Sequence, residues 1–548
     1  MKRILYTAFA ALFLLTSCSD LLTETNVNPN EPTYVPTSSL LTNAQFRLVD
    51  DIRDEWYSGR MALTWIQYFA QTSYTQESRY QYRKNSNSSA WKLIYADLGD
   101  LQAIIDLNTN PKTKVQAASN GPNVSQIAVA RVLKSWTFML LTETYGPIPY
   151  HSVGVDNPNF QALQLKQGIV SPAFADSKEI YLDILKELRA AADDLAKNEG
   201  DKAFILGDQM FNGDATKWKR FANSLILRGA TRISAVYPAE SKDAMDKAIA
   251  SGVMKSNADN AMFKGEKTTA NASPFYQAFA GKNREDFAVA NSFVDLLKGE
   301  SGPFGTVDPR LYYYASPVGA SALAATGLNI CKGDYVPKAS DKLGEGSFAP
   351  KNYIGMPYGI ESKYANKIKD KSLPNMPILA EFSNPLMDYA EVCFLLSERD
   401  GWNKDQYEKG VRASMERWGV QIGAIDAYMK TLKPATEENV LTQKYIALYM
   451  QPHNAWAEYR RTGFPKTLLM PGDVTFVDKA GILNKKDDKT LGKEYKFTSL
   501  IDELTTTLPS RIGYSIDSPL LNKKEYQKAL LLLEGKDNMA TKLWWAKK

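Results

Sequence analysis

Cys18 is the residue whose chemistry is easiest to name. Lys2 and Arg3 precede an apolar run from Ile4 to Leu15, and Leu15-Thr16-Ser17 lead directly into Cys18. A cationic start, a short apolar stretch and small residues before a cut describe an export signal. A cysteine at the cut is the arrangement of bacterial lipoproteins, so Cys18 reads as a lipid attachment site. A second kind of chemistry lies in tyrosines set among polar side chains. Tyr74, Arg79, Tyr80, Tyr82 and Asn85 fall in one polar stretch, and Phe304, Tyr312, Tyr313, Tyr314, Tyr335, Tyr353 and Tyr358 fall in another. The axial C–H groups of a sugar stack on an aromatic face while Asn and Arg satisfy its hydroxyls, so these clusters are candidate ligand contacts.

Catalytic patterns are sparse. The chain has 2 histidines, His151 and His453, and neither sits in H-E-x-x-H. A G-x-S-x-G elbow, a phosphate-binding G-x-x-x-x-G-K-[ST] loop and an EF-hand pattern are also missing. Two carboxylates suffice for glycoside hydrolysis, but with 61 acidic residues any nominated pair would be arbitrary. No catalytic residue is therefore assigned and no enzymatic activity is expected. Cys331 and Cys393 show no metal-binding spacing and read as inert thiols, with a disulfide between them left open. No cofactor is expected. A calcium ion held by loop oxygens stays open as well, because spacing shows no ligand set.

Charge narrows the partners. The full chain carries a formal +5, and removing residues 1–17 takes away two cations and no acid. Such a near-balanced surface lacks the concentrated basic excess of nucleic-acid binders. The run from Ile127 to Leu141 is interrupted by Arg131 and Lys134 and is shorter than the ~20 apolar residues of a membrane span. The lipid is thus the expected anchor, and stable attachment takes more than one acyl chain.

The elements that must position these residues are helical. Leu40, Ala44, Leu48, Ile52 and Trp56 recur every four residues, and Ile127, Ala130, Leu133, Thr137, Leu140 and Thr144 mark a second face. Asp176 and Glu179 form a capping pair ahead of Ile180, Ile184, Leu188, Ala192 and Leu195. Trp218, Phe221, Ala222 and Leu225 repeat the pattern, as do Leu386, Ala390 and Cys393, then Tyr407, Val411 and Trp418. One apolar stripe per helix predicts a mostly α body of antiparallel hairpins. Long irregular stretches at 146–175, 302–376 and 463–518 interrupt it. The expected organisation is a signal over 1–17, a lipidated tether over 18–39 and one body over 40–548.

Several segments, in chain order, resemble the SusD/RagB family of surface lipoproteins of Bacteroidetes. They are Asn26-Val-Asn-Pro29-Asn30 and Glu143-Thr-Tyr145-Gly146-Pro147-Ile-Pro149-Tyr150, then the W-x-x-F-A-N-S-L helix from Trp218 to Leu225 with Arg228 and Arg232. Tyr389-Ala-Glu391 with Trp402, Tyr407, Gly410, Ser414 and Trp418 follows, then Trp456-Ala-Glu458-Tyr459-Arg460-Arg461-Thr462-Gly463-Phe464-Pro465 and a close with Arg511, Tyr514, Asn522 and Trp544-Trp545. Pro147 stands where Asp is more usual, Ser515 replaces a proline, and the acidic patch after the lipid cysteine is reduced to Asp20. The resemblance implies a scaffold of tetratricopeptide-like helical hairpins with loop-rich insertions. It also implies an outer-membrane lipoprotein facing the cell exterior, which captures an oligosaccharide and hands it to a SusC-like TonB-dependent transporter. Peptide capture by the same family and a lipid-anchored glycan hydrolase are the rival readings. Most motif residues read as architecture. Trp218, Phe221 and Leu225 belong to a core stripe, Arg220, Ser224, Arg228 and Arg232 form a salt-bridged ridge, and Arg460 and Arg461 cap a helix end or clamp the next loop.

Overall fold

The computed structural model describes residues 35–321, 328–479, 481, 483, 492–533 and 535–546. Cys18 and most of the expected tether lie outside the described residues. The first helix among the described residues, α1 (Thr37–Arg53), starts inside the segment expected to be tether. Pro36 fixes its entry, and Ser39 and Leu40 donate their amides to the Pro36 carbonyl. Ser38 Oγ is bonded to Asn120 Oδ1 at 2.9 Å and Thr42 Oγ1 to the Gly207 carbonyl at 2.8 Å, so the body takes hold of the chain here.

The helices α2 (Lys84–Thr109), α3 (Asn123–Tyr145), α4 (Ser177–Ala196), α5 (Ala215–Ile233) and α6 (Pro238–Ser251) follow. From α1 to α6 each packs on the next, which is the pattern of stacked hairpins. The second half adds α7 (Tyr389–Arg399), α8 (Lys404–Arg417), α9 (Glu437–Ala447) and α10 (Pro452–Thr462), with α7 packed on α8, α9 and α5. The mostly α, hairpin-built architecture expected from the sequence is what the chain adopts.

Caps set the helix starts. Asp176 accepts from the Lys178 amide at 2.8 Å, and Asp388 accepts from the Glu391 amide at 3.0 Å. The second cap corrects the helical phase given to Leu386, which lies before α7 in a strand. Helix α3 is long and apolar enough to cross a membrane, but most of it is buried in the body. It carries Lys134, whose ammonium donates to Gln102 Oε1 at 2.5 Å and whose pKa burial pulls down to about 8.

The strands are short. β1 (Phe69–Gln71) pairs antiparallel with β3 (Phe287–Val289) in the register Phe69↔Val289 and Gln71↔Phe287. β2 (Ala261–Lys264) pairs with β4 (Ser383–Met387), and β5 (Val474–Val477) with β6 (Glu494–Lys496). β1 and β3 bring residues about 220 apart in sequence side by side, and this pairing builds the site described below.

Trp218, Phe221, Ala222 and Leu225 of α5 are fully buried, as their spacing predicts. The row at spacing four on the same helix is ionic. Arg220 meets Asp259 at 2.9 Å, Arg228 forks onto Glu391 at 2.7 and 2.6 Å, and Arg232 meets Glu143 at 2.8 Å and Glu458 besides. Arg460 clamps two distant segments: its Nη1 donates to the Glu143 carbonyl at 2.7 Å and to the Ser510 carbonyl at 2.8 Å. Its guanidinium lies 3.8 Å from the Trp456 ring centroid. Buried charges need partners, and every arginine of this ridge has one.

Candidate functional site

The spacing of four that runs through α1 does not reach Trp56. Asp54 adopts an extended conformation, and its carboxylate accepts from the Trp56 amide at 3.1 Å and the Tyr57 amide at 2.6 Å. A π-helical stretch, Glu55–Ala62, starts there. The break rotates Trp56 out of the core stripe and leaves its ring half-buried at the surface. Such π-helical turns occur often at functional sites.

Around Trp56 the charges form one chain. The guanidinium carbon of Arg60 lies 4.6 Å and that of Arg83 5.3 Å from its ring centroid. Glu77 joins the two arginines, at 3.4 Å from Arg83 and 3.7 Å from Arg60. Arg60 also meets Asp286 at 3.0 Å, and Asp286 meets Arg284 at 2.9 Å. Lys282 pairs with Glu55 at the border, 2.5 Å away. Burial lowers the Arg60 pKa, and Glu77 and Asp286 oppose that push.

The β1/β3 pairing extends this surface to Tyr74. The Thr72 amide donates to the Asp286 carbonyl at 3.0 Å and the Thr72 hydroxyl to the Glu285 carbonyl at 2.6 Å. Ser73 Oγ then reaches Asn366 Oδ1 at 2.7 Å, and the Thr75 amide donates to Ser362 Oγ at 2.9 Å. Tyr74 stands between these anchors with a positive φ of 51° and 55% of its surface exposed, close enough to Arg284 to interact with it electrostatically. Gln67, Tyr80 and Asn283 share positive φ values, of 58°, 73° and 55°. Half of the non-glycine residues with positive φ among those described thus flank this one pairing, and such strain gathers at functional sites.

The sequence-predicted residues divide. Tyr74 is exposed and Asn85 is exposed near the start of α2. Arg79 is half-buried, its Nε donating to the Thr498 carbonyl at 2.9 Å. Tyr82 is half-buried, with its ring 6.1 Å from Trp65. Tyr80, Tyr312, Tyr313, Tyr314, Tyr353 and Tyr358 are buried, which corrects the expectation that their faces stand open. Tyr80 and Tyr358 both pack edge-on against Phe497. Tyr312–Tyr314 form a short helix, Leu311–Tyr314, instead of an open loop. Tyr314 packs on Trp418 at 4.5 Å and Tyr449 at 4.4 Å, and its hydroxyl donates to the Ile446 carbonyl at 3.1 Å. Tyr312 packs on Tyr353 at 5.3 Å. These rings pin the long middle segment to the helical body through the apolar area they bury; Tyr314 also bonds a backbone carbonyl, whereas the buried Tyr353 and Tyr358 hydroxyls have no hydrogen-bond partner among the described residues. Tyr353 also lines the wall of a cavity of about 360 Å³ with Asn291, Asp295 and Lys298, and burial raises Asp295 to about 6.

Trp56, Arg60, Arg83, Arg284 and Asp286 escaped the sequence reading. The available signal was Asp54, a capping residue two positions before Trp56 in an otherwise regular stripe.

The platform carries no free acid or base. Glu77 and Asp286 are each held between cations. His453 is buried and stacked on Tyr57, with burial keeping it neutral, and His151 is pulled down to about 4 by burial and by Lys134. Cys331 and Cys393 are both free thiols. Among the described residues no group of three or more His, Cys, Asp and Glu is placed to hold a metal ion. What the surface offers is the Trp56 ring with Arg60 and Arg83 over it and the exposed ring of Tyr74, on a surface laced with ion pairs.

Comparison with known proteins agrees with the architecture. Residues 29–480 match the family model for SusD-like proteins, described as starch-binding and associating with the outer membrane. Among solved structures, a chitin-binding protein is 23% identical with a TM-score of 0.67, covering 93% of this chain and 100% of its own. A SusD homolog from Bacteroides uniformis is 23% identical with a TM-score of 0.66, covering 93% and 99%. A chitin-binding SusD homolog from Flavobacterium johnsoniae is 21% identical with a TM-score of 0.65, covering 93% and 98%. Among curated proteins none matches the chain. With the helical hairpins, the buried motif helix and most of the length matched, this chain belongs to the SusD-like family.

Proposed function

We propose that the protein is a glycan-binding lipoprotein of the outer membrane, tethered through Cys18 and facing the cell exterior. It captures an oligosaccharide on the Trp56/Tyr74 platform and delivers it to a SusC-like TonB-dependent transporter. No bond is made or broken in this role, so the protein is not an enzyme. The observation that carries the reading is the juxtaposition of Trp56 with Arg83 and of exposed Tyr74 with Arg284 across the β1/β3 pairing. Ring faces stack on sugars, and guanidiniums and the nearby Asn85 bond their oxygens. The family's description as starch-binding and the chitin-binding relatives support a glycan as the ligand class. The half-buried Arg79 and Tyr82 pack on Thr498 and Trp65, and the buried tyrosines of the middle segment are read as architecture.

Replacing Trp56 and Tyr74 together with Ala tests the reading by calorimetry against a panel of oligosaccharides. An aromatic contact contributes about 0.5–1.5 kcal/mol, so loss of two rings weakens binding about tenfold or more. Unchanged affinity in the double variant would remove this site. For the anchor, Cys18→Ala is expected to release the protein from the membrane fraction, and retention after a salt wash would contradict lipidation. Protease shaving of intact cells tests the outward orientation, which complete protection would refute.

A further inference from the structure

The platform sorts its charges by depth. The acids lie underneath, with the side chains of Glu77, Glu55 and Asp286 exposed by 1%, 10% and 18%. The cations lie on top, with Arg83, Arg284 and Lys282 exposed by 47%, 48% and 52%. Each acid sits beneath one of these cations: Glu77 accepts from Gln71 Nε2 at 2.7 Å and pairs with Arg83, Asp286 bridges Arg60 and Arg284, and Glu55 pairs with Lys282. Guanidinium and ammonium groups donate but cannot accept. A neutral sugar presents hydroxyls that both donate and accept, and beside these three cations the Asn85 amide and the Tyr74 hydroxyl offer neutral exposed side-chain acceptors for their protons. Carboxylate and sulfate oxygens only accept, and the planar arginine fork fits them with two parallel bonds. Glu361, an exposed acid on the 361–366 segment that anchors Tyr74, is itself paired with Lys363 at 2.9 Å.

We propose that the ligand of this platform is an anionic oligosaccharide, bearing uronic carboxylates or sulfate esters, whose acidic groups pair with Arg83, Arg284 and Lys282 while its rings stack on Trp56 and Tyr74. This rests on the glycan-binding reading and narrows it. The Glu77–Arg60–Asp286 bridge fixes the separation of the two outer guanidiniums, so acidic groups spaced along a chain are preferred over a single one.

The test is calorimetry on the full-length mature protein in detergent. The probes are oligogalacturonides for carboxylate, sulfated chondroitin oligosaccharides for sulfate, and chitohexaose and maltohexaose as neutral chains of similar length. At least one acidic probe is expected to bind tenfold or more tightly than either neutral one, with affinity falling as sodium chloride is raised from 50 to 300 mM (about a halving of the Debye length or more). Which acidic probe binds distinguishes carboxylate from sulfate. In the double variant Arg83→Gln/Arg284→Gln the ratio of acidic to neutral affinity is expected to fall toward one. Thermal melts confirm folding of the variant, and the salt series on the unmodified protein needs no variant at all. Neutral probes binding as tightly as acidic ones would overturn the anionic preference and leave the glycan reading standing. Failure to bind any probe would overturn both.

Discussion

Glu458 is the single acid shared by three buried cations, so Glu458→Gln is a severe perturbation of nearly constant shape. Its carboxylate meets Lys444 at 2.7 Å, Arg461 at 2.8 Å and Arg232 besides, with the three cationic side chains 1%, 8% and 0% exposed. Arg232 and Arg461 keep Glu143 and Glu398, but no other acid is paired with Lys444 among the described ion pairs. Removing one partner of a buried ion pair costs about 3–5 kcal/mol, since the remaining charge stays desolvated. Unfolding entropy of about 2 cal/mol/K per residue over roughly 500 residues makes this a fall of about 3–5 °C in Tm. Burial pushes the Glu458 pKa up, but Arg461, Lys444 and Arg232 together outweigh it and hold the carboxyl well below its usual range. A depressed carboxyl stabilises fully above its unfolded value near 4.5, and that contribution is lost as pH falls through the folded value. The gap between the parent and Glu458→Gln is therefore expected to be complete at pH 7 and to narrow below pH 4.5. Calorimetric melts and urea titrations across that range are the assay. A variant within about 0.5 kcal/mol of the parent at pH 7, or a gap that widens in acid, would refute the reasoning.

Other expectations concern burial and pH. Asp97 on α2 is raised to about 8, by burial first and by neighbouring Asp51 second, so the fold loses stability as pH rises from about 4 to about 8. Asp97→Asn is expected to raise stability by about 1–3 kcal/mol at pH 8 and to leave the melt at pH 4 unchanged; equal melts at both pH values would refute this. Tyr314→Ala is expected to cost about 3–5 kcal/mol of stability while glycan affinity of the folded fraction stays the same, the opposite of Trp56→Ala. A Tyr314→Ala protein that melts like the parent but binds poorly would move the site to the middle segment.

Much of the scaffold was legible because it is periodic. In α5 the stripe from Trp218 to Leu225 and the spacing of four from Arg220 to Arg232 are both readable from the sequence, the first as core and the second as ion pairs, although Arg228 and Arg232 are themselves buried. Arg460, placed just before Thr462-Gly463, could be read as a clamp for the same local reason. The site was less legible. Tyr314 is buried against Phe293, Trp418 and Tyr449, and Tyr312 packs on Phe348 and Tyr353, contacts that no local pattern reports. The spacing of four continues through Trp56 and places it on the stripe of α1, whereas Asp54 ends that helix with two side-chain bonds to backbone amides. The ion chain through Glu77, Arg60 and Asp286 depends on the β1/β3 register, which periodicity does not report. Tyr74 alone among the predicted rings stands well exposed, in a polar turn held from both sides.

The most direct measurement is a crystal structure of the mature protein soaked or grown with the tightest-binding oligosaccharide. Sugar rings are expected against Trp56 and Tyr74, with acidic groups on Arg83 and Arg284. Density for the sugar elsewhere, for example in the cavity of about 470 Å³ lined by Tyr276, Phe382 and Trp418, with the platform bare, would contradict it.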